Sequence, residues 1–415
     1  MKFRLNAIFF ALFISTLSAN AEIFFTGEAA MCAELNKSKE AKLRGYLTGQ
    51  LNFTENIFIR TEVSLKTGDL MENGLFEDNQ SAVKMGELSL TYAHPSTSVS
   101  HFLSLFIGEA DSIGKDSFLR HQFAISSIAS PLLQSYTSPN GLALYPLGGY
   151  GGSVTIRLAN KPLAGALYVY NNTKVVKDWN EEAKTNTSKD KIQSDFMPNI
   201  DLRFATVTKI ATIDIAAGIG IPLEDENSNN EDAFLVIKRI FLHAGATALI
   251  GSPESRSIFM QVGFENLEWK KKLDVKKIDE KLFLFLEPRM KLRNGGVNLS
   301  VFNIPQKLLE GRYDDFSYQH LTFIGEKNTL GANLMIYTDK FVIRNSRVRA
   351  GLNLMFSLEE TYFKDISIDM EKSEIKGAPF LETELLGGFF GASLQASYCN
   401  SAIDVKAIIG YKKTL

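Results

Sequence analysis

The chain has 415 residues, of which 45 are basic, 47 acidic and 45% hydrophobic, giving a formal net charge of −2. So even a balance leaves no electrostatic footprint for nucleic acid or an anionic surface. The two cysteines, Cys32 and Cys399, are too far apart for a metal knuckle or a CxxC centre. Beyond the N-terminus no apolar run reaches about 18 residues, which excludes a transmembrane helix and leaves strands as the only means of crossing a bilayer.

Residues 1–21 read as a cleaved secretory leader, with Lys2 and Arg4 at its start, the apolar run Ala7 to Leu17, and small residues at Ala19, Asn20 and Ala21. Cleavage leaves a single domain, 22–415, and removes two positive charges, taking the formal charge from −2 to −4. In an oxidising compartment Cys32 and Cys399 are either joined or two buried thiols.

From Glu22 the residues alternate. Phe25, Gly27, Ala29 and Met31 share one parity, and a hairpin follows in which Leu43, Gly45, Leu47, Gly49, Leu51 and Phe53 oppose Arg44, Tyr46, Thr48, Gln50 and Asn52. After a turn at Glu55 and Asn56, Ile57, Ile59, Val63 and Leu65 oppose Arg60, Glu62, Ser64 and Lys66. Beyond the polar loop from Thr67 to Ala82, the same period of two marks Leu88 to Tyr92, Leu103 to Ile107, Val154 to Leu158, Leu163 to Tyr170, Ile200 to Phe204 and Ala211 to Ile221. It continues through Ile240 to Ile250, Ile258 to Phe264, Leu282 to Leu292 and Val297 to Val301, with Pro288 marking a bulge or a missing ladder bond. The last strands are Leu330 to Ile336, Val348 to Phe356, Leu381 to Leu385, Phe390 to Tyr398 and Ile403 to Tyr411.

One segment, 109–150, is long and does not alternate. It opens with Asp111, Lys115 and Asp116, passes through Arg120 and His121 within an apolar, helix-compatible stretch from Phe118 to Leu133, and ends in the glycines at 148, 149, 151 and 152. A connection of this length calls for a structural or functional reason. It is read either as a surface excursion or as a loop folded into a lumen, with Asp111, Lys115, Asp116, Arg120 and His121 lining a constriction.

Turns near Asn56, Pro95, Lys161, Lys209, Glu254, Gly295, Lys340 and Gly387 are short, while the connections between them are mostly long. That alternation, with strands of roughly 9 to 11 residues, is how an outer-membrane barrel is threaded. The fold class is therefore all-β: a transmembrane antiparallel up-and-down barrel of about 16–18 strands. Charge on the polar parity points the same way, because a midplane Arg facing lipid costs roughly 2–4 kcal/mol. Arg60, Glu62, Arg203, Arg239, His243, Glu287, Arg289, Lys291 and Arg349 are accordingly placed in the lumen, along a solute pathway.

In this pattern the chain resembles the porin-like outer-membrane β-barrels of diderm bacteria. The resemblance implies an outer-membrane location, contact with membrane lipid and with the barrel-assembly machinery, a channel for small polar solutes, no cofactor, and either a monomer or an oligomer. A fatty-acid or hydrophobic-compound transporter and a surface adhesin using its long loops are the alternatives. An enzyme is not expected. No two of the five histidines have metal-ligand spacing on one element, and no Ser-His-Asn run of the outer-membrane phospholipase kind is present.

Overall fold

The period of two becomes eighteen antiparallel strands. They are β1 (Phe24–Asn36), β2 (Ala41–Asn52), β3 (Ile57–Lys66), β4 (Ala82–His94), β5 (Val99–Glu109), β6 (Gly148–Leu158), β7 (Leu163–Asn172), β8 (Pro198–Val207) and β9 (Ala211–Gly220), followed by β10 (Phe241–Gly251), β11 (Arg256–Glu268), β12 (Leu282–Leu292), β13 (Gly295–Asn303), β14 (Asn328–Ile343), β15 (Ser346–Glu359), β16 (Ser373–Leu385), β17 (Gly388–Cys399) and β18 (Ala402–Thr414). The computed structural model describes residues 24–415 except 73, 75–80, 136–138, 176–193, 226–234, 238, 270–280, 310–322, 344–345, 364–365 and 367–369. The leader reading of 1–21 lies outside the described residues.

Each strand pairs with its successor, and β1 pairs with β18 from Glu28↔Thr414 to Asn36↔Lys406, closing the sheet. Closure removes both free edges, the condition under which a sheet can stand in lipid. Phe24 pairs with Asn52 beside the first short turn, so β1 starts and β18 ends at the short-turn end of the barrel.

The side chains are sorted inside out. Along β8, Ile200, Leu202 and Phe204 are exposed on the outer surface, while Asn199, Asp201, Arg203 and Ala205 are buried. The same alternation exposes Leu103, Leu105 and Ile107 on β5 and Leu352, Leu354 and Phe356 on β15, forming the apolar outer band of a lipid-facing barrel.

Three local readings are corrected. Lys340 lies within β14, not in a turn, because β14 and β15 pair beyond a bulge between Thr338 and Phe341 as far as Ile343↔Ser346. β16 begins at Ser373, well before the start expected at Leu381, and its inward Glu374 and Lys376 pair with each other at 3.4 Å. The stretch Phe118 to Leu133 is not one helix. A short helix α1 (Ser117–Phe123) stops where Ala124 adopts a φ of 53°, and Pro131–Leu133 forms a separate 3-10 turn. At Pro288 the β12–β13 ladder omits a step and resumes in the same register, Leu286↔Val301 then Arg289↔Asn298, because proline has no N–H to give.

One side of the interior is filled by apolar packing. Phe241, Phe259, Phe283, Phe285 and Phe302 point inward from β10 to β13 and are buried against Ile113, Phe118, Leu133, Leu142, Leu144 and Tyr145 of the β5–β6 connection. Gly245 and Gly263 admit this contact. A side chain begun at Gly245 would meet Ile113 at 2.6 Å, and one at Gly263 would meet Leu144 at the same distance.

Candidate functional site: the lumen and the segment docked within it

Arg203 organises the docking. It stands on the inward parity of β8 and grips Asp214 of β9 through two hydrogen bonds, at 2.9 and 2.5 Å. Its remaining N–H groups donate to the carbonyls of Asp111 and Lys115, and its guanidinium lies 4.7 Å from the centre of the Phe118 ring. A planar five-donor fork suits this simultaneous use, which a lysine could not reproduce.

Further wall residues hold the segment. Arg157 Nη1 donates to the Gln122 carbonyl at 2.7 Å, and Gln261 Nε2 to the Gly114 carbonyl at 2.7 Å. Glu287 accepts from the Ser130 hydroxyl at 2.6 Å while its other oxygen accepts from Arg289 Nε at 2.7 Å, and Arg289 also donates to the Ile128 carbonyl at 3.1 Å. At the far side of the segment Tyr145 stacks on His243, with ring centres 3.7 Å apart and planes 9° from parallel. The Tyr145 hydroxyl lies 2.6 Å from the Asn199 amide, which also reaches Tyr170 at 3.1 Å, and Tyr170 donates to Asp201 at 3.0 Å.

Inside the segment the charges are matched. Asp111 accepts from Tyr168 at 3.0 Å and lies 2.9 Å from His121 Nδ1. Burial opposes its charge, but His121, Arg203 and Arg60 together hold its carboxyl well below the usual carboxylate range. Burial and then Arg60 push His121 below its ordinary value against the pull of Asp111. Lys115 pairs with Glu109 at 2.8 Å, which raises its pKa against the effect of burial. Asp116 gathers Ser127 Oγ at 2.5 Å and the N–H groups of Ile128 and Ala129, and burial raises its pKa.

The residues assigned to a solute pathway thus fall into three groups. Arg203, His243 and Glu287 are buried beneath the docked segment and Arg289 largely so, and their partners are the segment and its supports rather than open space. Arg239 is displaced from the wall, because β10 begins only at Phe241 and Arg239 sits in the preceding connection. Arg60, Glu62, Lys291 and Arg349 stay on the inward parity of the opposite wall and the rim. Arg60 donates to Gln50 at 2.9 Å, Glu62 accepts from Tyr46 at 3.1 Å, Lys291 pairs with Glu254 at 2.6 Å, and Arg349 bridges Asp339 at 2.9 Å and Glu382 at 3.2 Å.

Space remains along that opposite side. A cavity of about 340 Å³ separates α1 from β1 to β4 and is lined by Glu28, Arg60, Glu87, Arg120, His121 and Asn140 among others. Arg120 faces Glu28 across it at 3.7 Å, and Lys412 pairs with the same carboxylate at 2.9 Å. A second cavity, about 160 Å³, lies between Pro131–Leu132 and β14 to β18. A third, about 530 Å³, opens at the short-turn rim between Lys291, Arg293, Asp339, Arg347, Arg349 and Glu384. Cys32 and Cys399 are both free thiols, so the ends of the chain are joined by strand pairing and not by a disulfide. Among the described residues no group of three His, Cys, Asp or Glu side chains is placed to hold a metal ion.

The anchors Asp214, Asn199, Gln261 and Tyr145 were not singled out from the sequence. The signal that could have found them is the inward Phe series on β10 to β13, which requires an apolar partner inside the barrel, and 109–150 is the connection with apolar residues to supply it.

These features define a closed eighteen-stranded antiparallel barrel with an internally docked β5–β6 connection. No family model matches the chain, and no curated protein is similar to it. Among solved structures it is similar to a variant of the Rh. blastica porin, with 9% identity, a TM-score of 0.44, and coverage of 95% of this chain and 100% of that one. It is also similar to Wzi of Escherichia coli, an outer-membrane protein involved in group 1 capsule assembly and described as a carbohydrate-binding β-barrel, with 11% identity, a TM-score of 0.45, and coverage of 92% and 83%.

Proposed function

We propose that this chain is an outer-membrane channel whose β5–β6 connection narrows the lumen to a passage for small polar solutes. The carrying observation is the asymmetry of the interior: one wall is sealed by the docked segment, while the opposite wall keeps a polar cavity with Glu28 and Glu87 facing Arg60 and Arg120. Opposed charges across a narrow gap set a transverse field that favours dipolar solutes and tunes ion preference. The polar lining disfavours the fatty-acid transporter reading, which needs a continuous apolar route. The outer band of Leu, Ile, Val and Phe supports residence in lipid.

Planar-bilayer recording tests this. The full chain should give small, discrete conductance steps. Replacing Ser112 to Tyr145 with a short Gly-Ser linker should give larger ones from a barrel that keeps its heat-dependent gel migration. A folded barrel that never conducts would overturn the channel reading and favour an adhesin.

A further inference from the structure

Most charged groups around the lumen are committed to partners, but one cluster of neutral polar groups is not. Asn333 on β14, Asn353 on β15, and Ser393 and Gln395 on β17 converge on the cavity of about 160 Å³ beneath Pro131 and Leu132. None of the four makes a side-chain hydrogen bond to a described residue. Asn333 is only 2% exposed, and its Oδ1 is buried with no partner. That oxygen is sealed, but the polar groups of Asn353, Ser393 and Gln395 that share the cavity wall leave their hydrogen-bonding capacity to whatever occupies it.

Of the two carboxylates at this cavity, Glu287 is fully committed and Glu382 is half exposed at its edge. Both oxygens of Glu287 are engaged by Ser130, Ser300 and Arg289, and Glu382 is held by Arg349. The rest of the lining is apolar: Phe380, Ile408, Met335 and Leu132. Phe380 is set there by Gly351 on the neighbouring strand, where any side chain would meet its ring at 2.5 Å.

We propose that this cavity is a binding site for a small uncharged polyhydroxylated solute, a monosaccharide or sugar alcohol, and this rests on reading the barrel as a solute pathway. Each amide offers both a donor and an acceptor, and so does each hydroxyl of such a solute. Its C–H face matches Phe380 and Ile408. An anionic solute would find no Lys or Arg among the lining residues to pair with and would enter as an unpaired ion. The volume equals that of about five waters at ~30 Å³ each, which suits one sugar ring rather than a chain.

The test uses the full barrel in planar bilayers with KCl as current carrier and D-glucose or mannitol as probe. Glucose should reduce the single-channel current saturably. Asn333→Leu and Gln395→Leu, confirmed as folded by heat-dependent gel migration, should each raise the half-blocking concentration roughly tenfold, read against each variant's own sugar-free current. A reduction that only follows solution viscosity, equal in wild type and variants, would mean that the cavity holds water alone and would overturn the site while the channel stands. Stronger block by glutamate or lysine than by mannitol would overturn the solute class. If the barrel passes no current, calorimetry with glucose on detergent-folded protein decides separately. Saturable heat lost in Asn333→Leu supports the site with the channel reading gone, and its absence removes the site as well.

Discussion

His243 Nε2 lies 2.8 Å from Asp201 Oδ1 although a complete strand, β9, runs between the strands that carry them. The residue in that row is Gly218, and a side chain begun there would meet Asp201 at 2.0 Å and His243 at 2.6 Å. Glycine is thus required for its absent side chain. Gly218→Ala should break the bond and disturb the stack of Tyr145 on His243. Overpacking of this kind costs about 1–3 kcal/mol, and a lower midpoint in the temperature series of the gel-migration shift is the expected readout. An unchanged midpoint would show that the bond contributes nothing to docking.

Tyr145→Ala should loosen the segment without touching the wall. The ring is fully buried, stacked and hydrogen-bonded, and removal of such an aromatic costs about 3–5 kcal/mol. Because that loss falls on the docked segment, the barrel should keep its β-type circular dichroism while its single-channel current becomes larger and noisier.

Arg203→Met should leave Asp214 buried without its partner and release the carbonyls of Asp111 and Lys115. Breaking one side of a buried pair costs about 3–5 kcal/mol. Arg203→Met with Asp214→Leu should recover much of that loss in thermal unfolding but little of the docking, since the donors to the segment stay absent. Full recovery of both would assign Arg203 to the wall alone.

The pH response follows from His121. Burial and Arg60 depress its pKa from the ordinary 6.5, so its neutral form is the one that suits the docked state. The stability it contributes is present above 6.5 and is lost as pH falls through the depressed folded value. Protonation adds positive charge to a cavity already holding Arg60 and Arg120 against Glu28 and Glu87. Lowering the pH of a bilayer from about 7.5 through that depressed value should move the reversal potential toward anion preference. His121→Gln should flatten that part of the shift.

The strands were legible because lipid imposes a strict rule on one face: Ile200, Leu202 and Phe204 can be read from parity alone. The lumen obeys no such rule. Arg203 and Arg60 look alike in sequence, each a cation on the inward parity, yet one is enclosed by 110–147 and the other lines open space. Parity gives the side of the wall but not what stands in front of it. Phe283 and Phe285, inward among charged residues, were the visible exception, and their reason lies in another part of the chain. Lys340 failed for a different cause. Its turn-like composition sits in a hairpin that simply continues beyond its neighbours, and propensity yields to pairing there.

The docked segment also constrains the order of assembly. Gly114 waits for Gln261, Ser130 for Glu287 and Ile128 for Arg289, across sequence separations of 147, 157 and 161 residues. β5 and β6 can pair as soon as both exist, but the chain between them has nothing to close upon until β11 and β12 arrive. Loop-closure entropy must be met before such distant contacts reward it, so the apolar residues from Ile113 to Tyr145 should remain exposed until more than half the wall is built. Folding in vitro should then show strand formation by circular dichroism ahead of the loss of dye-binding apolar surface, and in Tyr145→Ala the second event should slow or fail while the first keeps its rate.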